Sequence, residues 1–117
     1  MKLRIETRPA GVSVRVKFNG EVIADSSDAI LLEESKYPPV YYLPRKDVKM
    51  ERLVRSSHRT HCPFKGDASY FSLRDGPQNA VWSYEQPFDG VAAIRELLAF
   101  YPDKVEISSE TPPARPR

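Results

Sequence analysis

The stretch Val12-Ser13-Val14-Arg15-Val16-Lys17-Phe18-Asn19-Gly20-Glu21-Val22-Ile23-Ala24-Asp25 decides the fold class. Val12, Val14, Val16 and Phe18 alternate with Ser13, Arg15 and Lys17, the period of a strand with one face in a core and the other in water. Asn19-Gly20 then supplies two residues that tolerate positive φ, as a type I′ turn requires, so residues 21–25 return as an antiparallel partner. The clearest local signal in the chain is therefore a β-hairpin.

Working outward, residues 29–33 read as a third strand and residues 40–43 as a fourth. Between them Tyr37-Pro38-Pro39 excludes both helix and inner-strand pairing, because proline lacks the N–H and restricts the residue before it. Pro44 starts a single helical turn through Asp47, after which residues 48–54 resume an extended, alternating pattern. Residues 68–73 and 80–84 form a second hairpin around Asp75-Gly76-Pro77. Residues 90–100 read as an α-helix, with Val91, Ile94, Leu97, Leu98 and Tyr101 on one face, Asp89 as its cap and Pro102 as its stop. Residues 104–107 add a closing strand, and the polar, proline-rich residues 108–117 predict a mobile tail. The expected architecture is a mainly β, compact antiparallel domain over residues 1–107, with about seven or eight short strands and one C-terminal α-helix.

Composition narrows the class. A chain of 117 residues fits one domain, large enough to build a core without disulfides or a structural metal. Eleven prolines against five glycines suit short strands and stiff connections. The net charge of +2, spread through the chain, argues against nucleic acid as a partner. One cysteine cannot close an internal disulfide. No stretch has the length of a membrane span or the layout of a secretory signal, so the expected location is the cytoplasm, away from any membrane.

Reactive groups concentrate in Ser57-His58-Arg59-Thr60-His61-Cys62-Pro63-Phe64-Lys65-Gly66-Asp67, which holds both histidines and the lone cysteine and is read as a loop. A closed zinc site wants four thiolate or imidazole ligands in pairs, and this set lacks a second pair, so neither a metal nor a cofactor is expected. Cys62 with His58 as base is a chemical option for nucleophilic catalysis; a buried, inert thiol is the alternative. Lys65 beside Gly66, with Arg45, offers an anion site, against a solvated Lys65 in an ordinary turn. The second constellation is aromatic: Tyr37, Tyr41, Tyr42, Tyr70, Phe71, Trp82 and Tyr84 lie on or beside strands. Alternation places Tyr41 opposite Tyr42 and Tyr70 opposite Phe71, while Trp82 and Tyr84 share a face.

Four runs carry a resemblance. Phe18-Asn19-Gly20-Glu21-Val22-Ile23-Ala24-Asp25-Ser26, Tyr37-Pro38-Pro39-Val40-Tyr41-Tyr42-Leu43-Pro44-Arg45-Lys46-Asp47-Val48, Thr60-His61-Cys62-Pro63-Phe64-Lys65-Gly66 and Ala80-Val81-Trp82-Ser83-Tyr84 closely resemble the domain-of-unknown-function 427 family. The resemblance implies a β-tent-like fold similar to zinc-binding β-tent proteins. This chain lacks their Cys-x-x-Cys pairs, so its core would hold the tent. The family's nucleotidyltransferase-like label implies paired carboxylates for magnesium, yet Asp47, Glu51, Asp67 and Asp103 are isolated along the chain.

The leading expectation is a pocket built from the Tyr-Pro-Pro corner, the His/Cys segment and the aromatic hairpin, binding a small anionic or nucleotide-like partner through Tyr41, Tyr42, Arg45, His58, Thr60, Cys62, Lys65, Tyr70 and Trp82. An enzyme, nucleotidyltransferase-like or working through Cys62 and His58, is the second reading. A structural or protein-interaction module is the third. The sequence leaves catalysis and oligomeric state open.

Overall fold

The computed structural model describes residues 4–111. In chain order the strands are β1 (Ile5–Pro9), β2 (Ser13–Phe18), β3 (Glu21–Ser26), β4 (Ile30–Glu34), β5 (Val40–Tyr42), β6 (Leu53–Cys62), β7 (Gly66–Leu73), β8 (Val81–Ser83), β9 (Ala99–Phe100) and β10 (Glu106–Glu110). They form three sheets of order β1-β4-β5, β10-β2-β3 and β6-β7-β8-β9. Every pairing is antiparallel. Short 3-10 turns at Arg45–Asp47, Met50–Arg52 and Asp89–Ile94 make the connections.

The β2–β3 hairpin has the turn its sequence specifies: Asn19 and Gly20 take φ of 50° and 80°, and Phe18 pairs with Glu21. Its alternation buries Val14 and Val16 completely. Those valines join Ile23, Leu43, Val81 and Leu98 in the larger of two apolar clusters. The smaller cluster gathers Leu32, Tyr42, Tyr70, Tyr84, Val91 and Ile94. Each large apolar side chain so buried contributes about 1.5 to 3 kcal/mol, which is how short strands with few local contacts hold together.

Several expectations are corrected. Residues 57–62 of the His/Cys segment, read as a loop, are the end of strand β6, and only residues 63–65 make a turn before β7. Residues 90–100 do not form an α-helix; a 3-10 segment ends at Ile94 and breaks regular geometry at Val91. Glu96 then takes φ of 67°, and Leu98 exchanges two backbone hydrogen bonds with Leu43 at 2.8 and 2.9 Å. A 3-10 turn also puts i and i+3 on one face, so Val91 and Ile94 are buried without a helix. The expected extension from 48 to 54 is interrupted by the turn at Met50–Arg52, and the strand begins only at Leu53. The strand count is ten among the described residues, because β1, which pairs with β4 across a long separation, and the two-residue β9, which pairs with β8, carry no local pattern that signals them.

Residues 108–110 of the expected tail belong to β10, with Ile107 opposite Val16 and Ser109 opposite Val14. Residues 112–117 lie outside the described residues. Among the described residues no helix is long and apolar enough to cross a membrane.

Candidate functional site

Strands β4 to β8 and the segment after β9 surround an open cavity of about 760 Å³. Its size is that of a small-molecule site. Pro38 and Pro39 hold the β4–β5 corner extended, which sets Tyr37, Pro38 and Pro39 along one wall. Tyr37 and the facing Phe64 are exposed at the mouth.

The turn from β6 to β7 shapes the opposite wall. Gly66 takes φ of 114°, and a Cβ there would stand 3.4 Å from the Gln86 carbonyl oxygen. Glycine therefore lets the 86–88 segment close over the turn, where Phe88 N–H donates to the Lys65 carbonyl at 3.0 Å. That closure directs Lys65 inward. Only 9% exposed, its Nζ donates to Glu34 Oε1 at 2.5 Å and lies 5.9 Å from the centre of the Tyr84 ring. The cation is thus neutralised inside the wall by a carboxylate from β4.

The floor is aromatic. Tyr42 packs edge-on to Trp82 with ring centres 6.3 Å apart and lies 6.5 Å from Tyr84, while Tyr101 lies 4.5 Å from Trp82. Trp82 Nε1 donates to Tyr42 Oη at 3.2 Å. Thr60 Oγ1 and Tyr70 Oη are hydrogen-bonded at 2.9 Å. Tyr101 is pushed up to about 12, first by burial and then by its hydrogen bond with Tyr70. Burial raises Tyr42 and Tyr84 further, so all three phenols are neutral at physiological pH. Mostly apolar rings with a few fixed hydroxyls suit a planar organic molecule held by stacking and hydrogen bonds.

Residues 6–111 match the family described as a domain of unknown function (DUF427). The chain belongs to that family. No curated protein matches it. Every residue that lines the cavity falls inside the DUF427 match, from Val16 to Ile107.

Of the residues expected at the site, the structure brings Tyr41, Tyr42, Cys62, Lys65, Tyr70 and Trp82 to this DUF427 cavity. Thr60 reaches it only through Tyr70. Arg45 is elsewhere: its Nε donates to the Glu96 carbonyl at 2.7 Å and its Nη2 to Glu85 Oε2 at 3.1 Å. There Arg45 and Arg55 lie 5.5 and 4.8 Å from the centre of the Phe71 ring. Arg55 grips Glu85 through two bonds of 2.9 Å, and chiefly through them Glu85 falls from the ordinary 4.5 to about 2.

His58 leaves the cavity because three residues, Ser56, Ser57 and His58, stand opposite the single residue Tyr70 where the β6–β7 register shifts. Its ring packs 4.5 Å from the Tyr70 ring beside a shallow polar groove that includes Asp75 and Asn79. His61 is at the cavity rim with Nδ1 turned 2.6 Å from Asp67 Oδ1. Neither imidazole is hydrogen-bonded to the half-buried Cys62 thiol. Asp47 is bound by Ser26 at 2.6 Å and Asp67 by His61, and among the described residues no three of His, Cys, Asp and Glu gather at a metal-sized site.

Sequence reading missed Glu34 and Tyr101 and put Tyr84 only on a shared face with Trp82. Tyr101 was legible as a buried face of the supposed helix. Glu34 carried no signal, since its role depends on a pairing across 31 residues.

Proposed function

We propose that this DUF427 domain is a small-molecule-binding protein whose cavity takes a planar, uncharged or weakly polar ligand. One observation carries the reading: a cavity of about 760 Å³ floored by Tyr42, Tyr70, Trp82, Tyr84 and Tyr101, with its one buried cation already paired to Glu34. Filled ion pairs attract a further anion weakly, and Arg45 is spent on Glu85 and Glu96, so the anionic or nucleotide-like reading rests on Lys65 alone. A nucleotide base would still satisfy the aromatic floor. The enzymatic readings draw less support, since the carboxylates stay apart and Cys62 lacks a bonded base. We carry the β-tent likeness as a proposal too: three antiparallel sheets on an apolar core would make a tent held by side chains, without paired cysteines.

Trp82 is the sole tryptophan, so its emission reports on the cavity directly. A panel of indoles, bicyclic ketones, purines, nucleotides and inorganic phosphate should include uncharged planar members that change this emission saturably. The same members should stabilise the fold by about 2.7 kcal/mol at a hundred times their dissociation constant. Val40→Phe, which narrows the cavity, should weaken both effects. If no member of the panel alters Trp82 emission or the melting temperature, the proposal is wrong.

A further inference from the structure

Tyr42 and Tyr84 both line the cavity, and their hydroxyl groups have unspent capacity. Tyr42 Oη accepts from Trp82 Nε1, and an indole nitrogen can only donate, so the Tyr42 proton is still to be given. Among the described residues nothing accepts it. Tyr84 is 6% exposed, and its hydroxyl has no hydrogen-bond partner among the described residues. The two rings are 6.5 Å apart, and the Glu34 carboxylate lies near both hydroxyls. The Tyr84 hydroxyl is not sealed from solvent, so its proton can be given to a molecule in the cavity. Because burial keeps both phenols protonated, each offers a donor and neither offers a charge.

We infer that Tyr42 and Tyr84 form a paired donor clamp for the carbonyl oxygen of a planar, uncharged ligand, resting on the binding role proposed above. A carbonyl oxygen has two lone pairs and accepts from two donors at once. A carboxylate or phosphate fits less well, because Glu34 lies beside the clamp and Lys65 only cancels it. The inferred ligand class is therefore the conjugated ketones, lactams and related planar carbonyl compounds, held by stacking on Trp82 and by two phenol hydrogen bonds.

A matched pair of probes tests this. 1-Indanone and indane share one bicyclic skeleton and differ by the carbonyl alone. Titration of Trp82 emission should show 1-indanone binding about tenfold tighter than indane, the yield of two neutral hydrogen bonds. Tyr84→Phe should cut that preference about threefold, and Tyr42→Phe with Tyr84→Phe should bring the two probes within about twofold. Tyr42→Phe strips Trp82 of its acceptor, so Tyr84→Phe is the variant whose fold is safest, checked by its melting curve. Gln78→Ala, in the polar groove away from the cavity, should leave the preference unchanged. Equal binding of both probes by the wild type, or an undiminished preference in Tyr84→Phe, overturns the clamp while leaving the binding role standing. Failure of 1-indanone to bind, with other planar compounds binding, also overturns the clamp. Failure of the whole panel overturns both.

Discussion

Taking either Glu34 or Lys65 away leaves the other charge in a nearly dry wall, with side chains only 12% and 11% exposed. Lys65→Met should therefore cost about 3 to 5 kcal/mol in chemical unfolding, whereas adding Glu34→Leu should restore most of that loss, since a buried pair can be exchanged for apolar groups at little net cost. An additive double variant would contradict the pairing. Lys65 was legible as a residue of chemical interest from its turn, but its partner was not, because the β4 register that delivers Glu34 is a property of the folded sheets. Arg45 shows the converse. Its neighbours in sequence suggested a tyrosine-guanidinium corner, and the fold gives it instead to Glu85. That cluster predicts an acid response. Glu85 falls from 4.5 unfolded to about 2 folded, so its contribution is full above about pH 4.5 and is lost as pH drops toward 2. Glu85→Gln should lower stability at pH 7 and flatten the acid limb over that window. An unchanged slope in unfolding measured from pH 5 to 2 would show that Glu85 is not so held.

At the scale of elements, local signals were reliable where a turn and two strands specified each other. Asn19-Gly20 fixed the β2–β3 hairpin, and the alternation around it named Val14 and Val16 as core. The apolar spacing of residues 91–101 misled because a 3-10 turn followed by a bridge to Leu43 buries the same positions as a helix would. Strand β10 was legible only at its start, where the closing strand expected at 104–107 overlaps it; residues 108–110 are polar and exposed, and they pair because β2 offers an edge. Ending the chain at Val105 should expose that edge and one side of the Val14 and Val16 packing, lowering stability by about 2 kcal/mol or more and raising aggregation. A melting curve identical to that of the full chain would mean that β10 contributes nothing.

For the molecule as a whole, the three segments that drew notice in the sequence, the Tyr-Pro-Pro corner, the His/Cys run and the aromatic hairpin, meet around one cavity. Their meeting follows from topology: β5 is tied to the first sheet, β6 to β9 form the third, and Leu43 bridges the two through Leu98. Chemistry-bearing residues on the wrong side of that arrangement, His58 and Arg45, could not be sorted from those on the right side without knowing the register shift in β6 and the path after Pro44. Rigid strands around a hollow with unspent hydroxyls imply a site formed before its ligand arrives. Crystallographic fragment screening tests this most directly. The account predicts planar fragments clustered in the cavity, stacked on Trp82 with oxygen atoms toward Tyr42 and Tyr84. A screen in which fragments bind only elsewhere, with the cavity collapsed onto its own tyrosines, would contradict it.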